Sequence, residues 1–127
     1  MNDDRVENPQ QARTVTIVPQ MLSPKTTVLR VAGDMRGDAA GAVLRTLAGE
    51  LISPPDVVVL DLCEVSNIDV VGLDVLHTAA GLAAEDDIWF CLVDTPDGAV
   101  RVGLDAVGSA KDFEIFSSVT HALRHAP

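Results

Sequence analysis

The sequence predicts an α/β fold: a mixed, mostly parallel sheet with helices on its faces, in the order β-β-α-β-α-β-α-β-α. Three observations carry this. Short Val-rich apolar runs alternate with stretches of helical periodicity, the pattern of parallel strands joined by helices. The run DVVVLDLC (56–63) is β-branched and continuously apolar, as in a central strand buried on both faces. Aromatics are scarce, with Trp89, Phe90, Phe113, Phe116 and no tyrosine, so Val, Leu, Ile and Ala must build the core. The 127 residues suffice for one domain, expected over 14–125, behind a polar tail (1–13) expected to be disordered.

The elements follow in order. TVTIVP (14–19) alternates and suits an edge strand, QMLSPK turns the chain, and TVLRVAGDM (27–35) completes a hairpin. Its Leu29 and Val31 share one face, with Val28, Arg30 and Ala32 on the other. Asp38 is placed to cap a helix whose apolar face is Ala40, Val43, Leu44, Leu47 and Leu51. Ser53-Pro54-Pro55 ends that helix. After the third strand, EVSNI reads as a loop and Asp69 as the N-cap of a helix from Val70 to about Ala84. Ile68 and Leu73 can staple that cap. Leu73, Leu76, Ala80 and Ala83 face inward, and Asp74, His77, Thr78, Gly81 and Glu85 outward. IWFCLVD (88–94) is the fourth strand. Pro96-Asp97-Gly98 opens a helix with Val100, Leu104 and Val107 inward and Gly108 at its end. DFEIF (112–116) is a short strand. Ser117 or Ser118 caps a last helix carrying Val119, Ala122 and Leu123.

Charge narrows the function. The net charge of −10 argues against nucleic acid and against anionic membrane surfaces, both of which need clustered Lys and Arg. Between Arg45 and Arg101 there is no cation, while eleven carboxylates run from Glu50 to Asp97. This is either a solubilising surface or an acidic face for a basic partner. No apolar run reaches membrane-spanning length and the N-terminus has no signal-peptide core, so no membrane insertion and a cytoplasmic location are expected. In that compartment Cys63 and Cys91, both in strand-like runs, are expected to be buried, reduced and offset along neighbouring strands.

Three stretches resemble the STAS domain of bacterial anti-sigma factor antagonists: VLRVAGDM, VVVLDLCEVSNIDVVGLDVL and AVRVGLDAVGSAKDFEIFSSVTHAL. The middle one is the most specific, a strand ending in Leu-Asp-Leu, a short segment, then Ile-Asp-x-x-Gly-Leu. The resemblance implies a STAS-like mixed sheet and a non-catalytic module that binds an anti-sigma factor, usually also a kinase, or a related regulatory protein. It implies a partner-binding set of Asp34, Arg36, Asn67, Asp69, Val70, Val71 and Gly72. In the family, the kinase phosphorylates the serine that follows the helix-capping Asp. Here that position is Val70, which has no hydroxyl, so no phosphorylation is expected there. Arg36 stands where the family usually carries Asp, reversing a charge on the docking face.

Other chemistries find little support. No Walker loop and no GxGxxG follows a strand, and Gly33 and Gly37 are too sparse for a phosphate cradle. His77 has no nucleophile at diagnostic spacing and reads as a solvated histidine. Glu85-Asp86-Asp87 reads as a solvated run. Neither metal nor cofactor is expected. Two alternatives to sigma-factor control stay open. One is a small-ligand or nucleotide sensor, or an enzyme of flavodoxin-like layout, using segment 64–69 at the carboxyl end of the strands. The other is an accessory STAS subunit of a membrane transport complex.

Overall fold

The computed structural model describes residues 15–127, so the tail expected over 1–13 lies outside the described residues. Among the described residues, five strands form one sheet in the order β1-β2-β3-β4-β5. β1 (Val15–Ser23) and β2 (Thr26–Met35) make the expected antiparallel hairpin, with Val15 opposite Gly33 and Gln20 opposite Val28. β1 runs on to Ser23 rather than ending at Pro19. Pairing with Thr26 and Thr27 recruits the residues that sequence assigned to a turn. Pro19 is tolerated because this strand is an edge. β3 (Val57–Ile68) pairs in parallel with β2 and with β4 (Trp89–Val93), and β4 with the two-residue β5 (Ile115–Phe116). β3 thus holds the central position that its apolar run predicts.

Among the described residues, four α-helices complete the fold: α1 (Gly41–Glu50), α2 (Val70–Glu85), α3 (Ala99–Ala106) and α4 (Val119–His125). Strand alternation divides the core in two. Leu29, Val31, Leu60 and Leu62 face Val43, Leu47, Leu76 and Leu104 from α1, α2 and α3. Val28, Val57, Val59, Cys91 and Val93 face the opposite way, onto Ala122 of α4. Burying side chains of this size contributes about 1.5–3 kcal/mol each.

Five expectations need correction. Glu64–Ile68 is not a loop: Glu64, Val65, Asn67 and Ile68 pair with Ala32, Gly33, Asp34 and Met35 across two irregularities. Asp38 caps nothing, because the chain enters α1 through a 3-10 turn, Gly37–Ala40, and α1 begins without a side-chain cap. Cys63 is exposed, lying where α4 does not reach, whereas Cys91 is buried as expected; both are free thiols. Cys91 pairs with Val59, four residues before Cys63, so the two are offset as expected. Val107 is 59% exposed because α3 ends at Ala106, so the helical phase that aimed it inward has stopped. On α2, Val75 and Ala79 join the buried side and Ala80 is only half-buried.

Candidate functional site

The ends of β2 and β3 and the start of α2 meet at one corner of the sheet. Parallel register brings this about, since Asp34 lies opposite Asn67 and Met35 opposite Ile68. The chain leaves β2 through Gly37, whose φ of +57° suits a residue without Cβ. It enters α2 through Asp69, which is extended and outside the helix, as an N-cap must be.

Asp69 is the pin of this corner. Its Oδ1 accepts from Gly72 N at 3.0 Å, the expected cap, and its Oδ2 accepts from Gly37 N at 3.1 Å. One carboxylate therefore ties the helix start to the end of the neighbouring strand. Gly72 sits directly beneath. A Cβ there would run into the Met35 carbonyl oxygen and the Ile68 side chain, so its contacts are internal ones. Ile68 and Leu73, the expected staple, converge beside Gly103 of α3, where a Cβ would lie 3.1 Å from the first and 3.6 Å from the second.

Asp34 is 5% exposed and carries a two-pronged ion pair. Arg36 Nε donates to its Oδ1 at 2.6 Å and the Nη2 donates to its Oδ2 at 3.0 Å. A buried carboxylate needs such a partner, and the fork geometry is what arginine supplies. The hydrogen bond to Asp34, then its charge, pushes the guanidinium pKa upward. Ser66 Oγ donates to the Gly33 carbonyl at 3.1 Å, closing the bulged end of β3. Asn67 is exposed at the strand end.

Asp34, Arg36, Gly37 and Asp69 line an open cleft of about 400 Å³. All four of its carboxylate oxygens already accept hydrogen bonds from within the protein. Beside the cleft stand Val70, 67% exposed, and Val71, 43% exposed. The sequence allowed one of them to be buried, and neither is. What the corner offers a visitor is an apolar pair on a rigid helix start and the outer edge of a held guanidinium.

His77 is engaged rather than merely solvated. Its Nδ1 lies 3.1 Å from the Leu73 carbonyl and its Nε2 lies 3.3 Å from Asp112. Among the described residues no group of three side chains is arranged to hold a metal ion. Sequence reasoning missed Asp94. It is buried at the end of β4 and accepts from Thr95 N and Arg101 N, both at 2.9 Å, capping α3 from a distance. The signal was present, as a carboxylate closing an apolar strand just before Pro-Asp-Gly.

A family model described as "Mlab, STAS domain" matches residues 20–109. The chain is a STAS domain. Its fold is similar to the crystal structure of an anti-sigma factor antagonist from Mycobacterium paratuberculosis, with a TM-score of 0.76, 22% identity, 90% of this chain covered and 95% of that one. It is also similar to the structure of SLC26A9, with a TM-score of 0.67 and 14% identity, covering 96% of this chain and 26% of that one. A comparison with curated proteins finds no match. No described helix is long and apolar enough to cross a membrane. In this STAS domain, Asp69 shares its cleft with Arg36 and caps the helix that begins at Val70.

Proposed function

We propose that this STAS domain, residues 14–125, is a non-catalytic docking module of the anti-sigma factor antagonist kind. It binds an anti-sigma factor or related regulatory protein in the cytoplasm. The observation that carries this is the exposed pair Val70 and Val71 at a capped, tightly packed helix start. Exposed apolar side chains on a rigid element are anchors for a partner. Arg36, Asn67, Val70 and Val71 make the contacts, and Asp34, Asp69 and Gly72 hold them in place. Because Val70 replaces the family's serine, docking here is not turned off by a phosphate at the helix start. The engaged carboxylates of the cleft support a binding role over acid–base chemistry.

The test is affinity capture from native extract with wild type and Val70→Glu, identifying the captured chains by mass spectrometry. An acidic residue is tolerated in the first helical turn, so the variant should fold. Wild type is expected to capture a kinase-type regulatory protein, and the folded variant to lose it at least tenfold. Equal capture by both would remove this corner from the interface. A second reading rests on the likeness to SLC26A9, of which this fold spans 26%. In that reading the module is an accessory subunit of a membrane transport complex, and capture of transporter chains would favour it.

A further inference from the structure

We propose that the docking surface continues from the start of α2 across the outer groove between α2 and α3. There it takes an apolar helix with basic flanks from the partner. This rests on the reading of Val70 and Val71 as the docking corner, and it adds a second wall and the chemistry of the occupant.

The second wall is α3. Val100 and Leu104 face the core, which leaves the opposite side of the helix to solvent. At that side Val102 is 53% exposed, next to exposed Ala106. Gly103 marks the seam, because the space its Cβ would fill is already reached by Ile68 and Leu73 at the start of α2. The outer surface of α3 is therefore continuous with the helix start that carries Val70. Along α2, Val70, Asp74 and His77 follow at i, i+4 and i+7 and are all exposed, which puts them on one stripe. His77 meets Phe113 with ring centroids 4.8 Å apart and faces Asp112, closing the far end of the groove. Two exposed valines on two packed helices, with a half-buried apolar floor between them, form the kind of surface into which an amphipathic helix lays its apolar face.

The rim charges select the occupant. Asp74 stands on α2 and Asp97 at the approach to α3, both exposed. From residue 46 to residue 100 the chain has no Lys or Arg to offset them. Arg101 is committed to Asp105, its Nε 3.5 Å from the carboxylate. A second copy of this chain would bring −10 against −10. A partner helix with Lys or Arg at its margins meets complementary charge, and that complementarity sets encounter rate and register.

The experiment places a photo-crosslinking phenylalanine derivative at position 71, 102 or 18 of the full chain, the last on the edge strand as a control. Crosslinking is done in native extract and the joined peptides are sequenced by mass spectrometry. Positions 71 and 102 are expected to capture the same partner, with position 102 joined to a helical segment flanked by Lys or Arg. Position 18 is expected to capture neither. Val102→Asp, a change at an exposed site, is expected to weaken binding of that partner at least tenfold. Affinity is also expected to fall as salt is raised. Capture at 71 but not at 102 would overturn the groove and leave the docking corner standing. Capture at neither would overturn both. A crosslink from 102 to an acidic segment, to a different partner or to another copy of this chain would overturn the stated occupant, as would unchanged affinity of Val102→Asp.

Discussion

Asp94 shows how much one side chain can hold together. Its two oxygens accept from Thr95 N and Arg101 N, so a single carboxylate shapes the turn after β4 and caps the third residue of α3. Gly98 is fixed by the same contact, since a Cβ there would run into the Asp94 carboxylate. Burial raises the pKa of Asp94, against the pull of the Arg101, Thr95 and Val100 amides. A raised native pKa means that the folded state binds the proton more tightly than the unfolded one. Stability from this group therefore increases as pH falls through the raised value, and the gain is complete below the ordinary 3.8. Asp94→Asn offers one oxygen to two donors, so it should cost about 1–2 kcal/mol near neutral pH. It also removes the titration, so the deficit should widen as the pH is lowered from neutral to roughly 4. Urea unfolding of both proteins at several pH values measures this, and a deficit that shrinks on acidification would contradict it. None of this was legible beyond the bare carboxylate, because the cap depends on the chain turning back on itself within seven residues.

At the scale of elements, the start of α2 was legible and the end of β3 was not. Asp69 is readable as a cap because capping is local: an extended residue, three amides and an apolar periodicity behind it. The length of β3 is not local. Ser66 and Asn67 read as loop residues, yet β2 supplies a pairing partner for Asn67 at Asp34, and the ladder overrides propensity. The failure of Asp38 as a cap has the same character, since the 3-10 turn before α1 is set by how Gly37 is held by Asp69. That link makes a prediction. Asp69→Ala removes the acceptor of two backbone amides in different elements, so it should cost more than an ordinary cap, about 2–3 kcal/mol. Amide exchange should accelerate at both Gly72 and Gly37, while amides in the middle of α2 change only with global stability. Acceleration at Gly72 alone would mean that Asp69 caps the helix without tying down the strand end.

At the scale of the whole molecule, the two faces of the sheet are unequally covered. Strand order and hairpin were legible because the fold is written in alternation and in βαβ connectivity. The unequal cover was not, since it depends on where the short α4 comes to rest; Cys63 was misjudged for that reason. Among the described residues, the helical side chains packed on the second cluster all come from α4: Val119, Ala122 and Leu123. A seven-residue helix does not stand alone in water, so α4 persists only by docking. Cys91 lies beneath it and reports on it. Its thiol is pushed up to about 12, first by burial and then by the charge of Glu114, so it should be inert in the native protein. Cys63 is raised only to about 11, by partial burial and by Asp61, and is exposed, so it should react slowly but measurably. Ala122→Glu puts a carboxylate among Val28, Val59 and Cys91, which costs several kcal/mol if α4 stays in place. The helix should therefore lift off while α1, α2 and α3 keep the first core. Maleimide labelling of Cys91 should then rise at least roughly tenfold, an opening easier by about 1.4 kcal/mol or more, with the rate at Cys63 unchanged. Two outcomes would reject this picture. Cys91 as protected as in wild type would mean that α4 is not its cover. Both thiols reacting in one phase, with loss of the far-ultraviolet circular dichroism, would mean that the two layers form a single cooperative unit and that the second core is as necessary as the first.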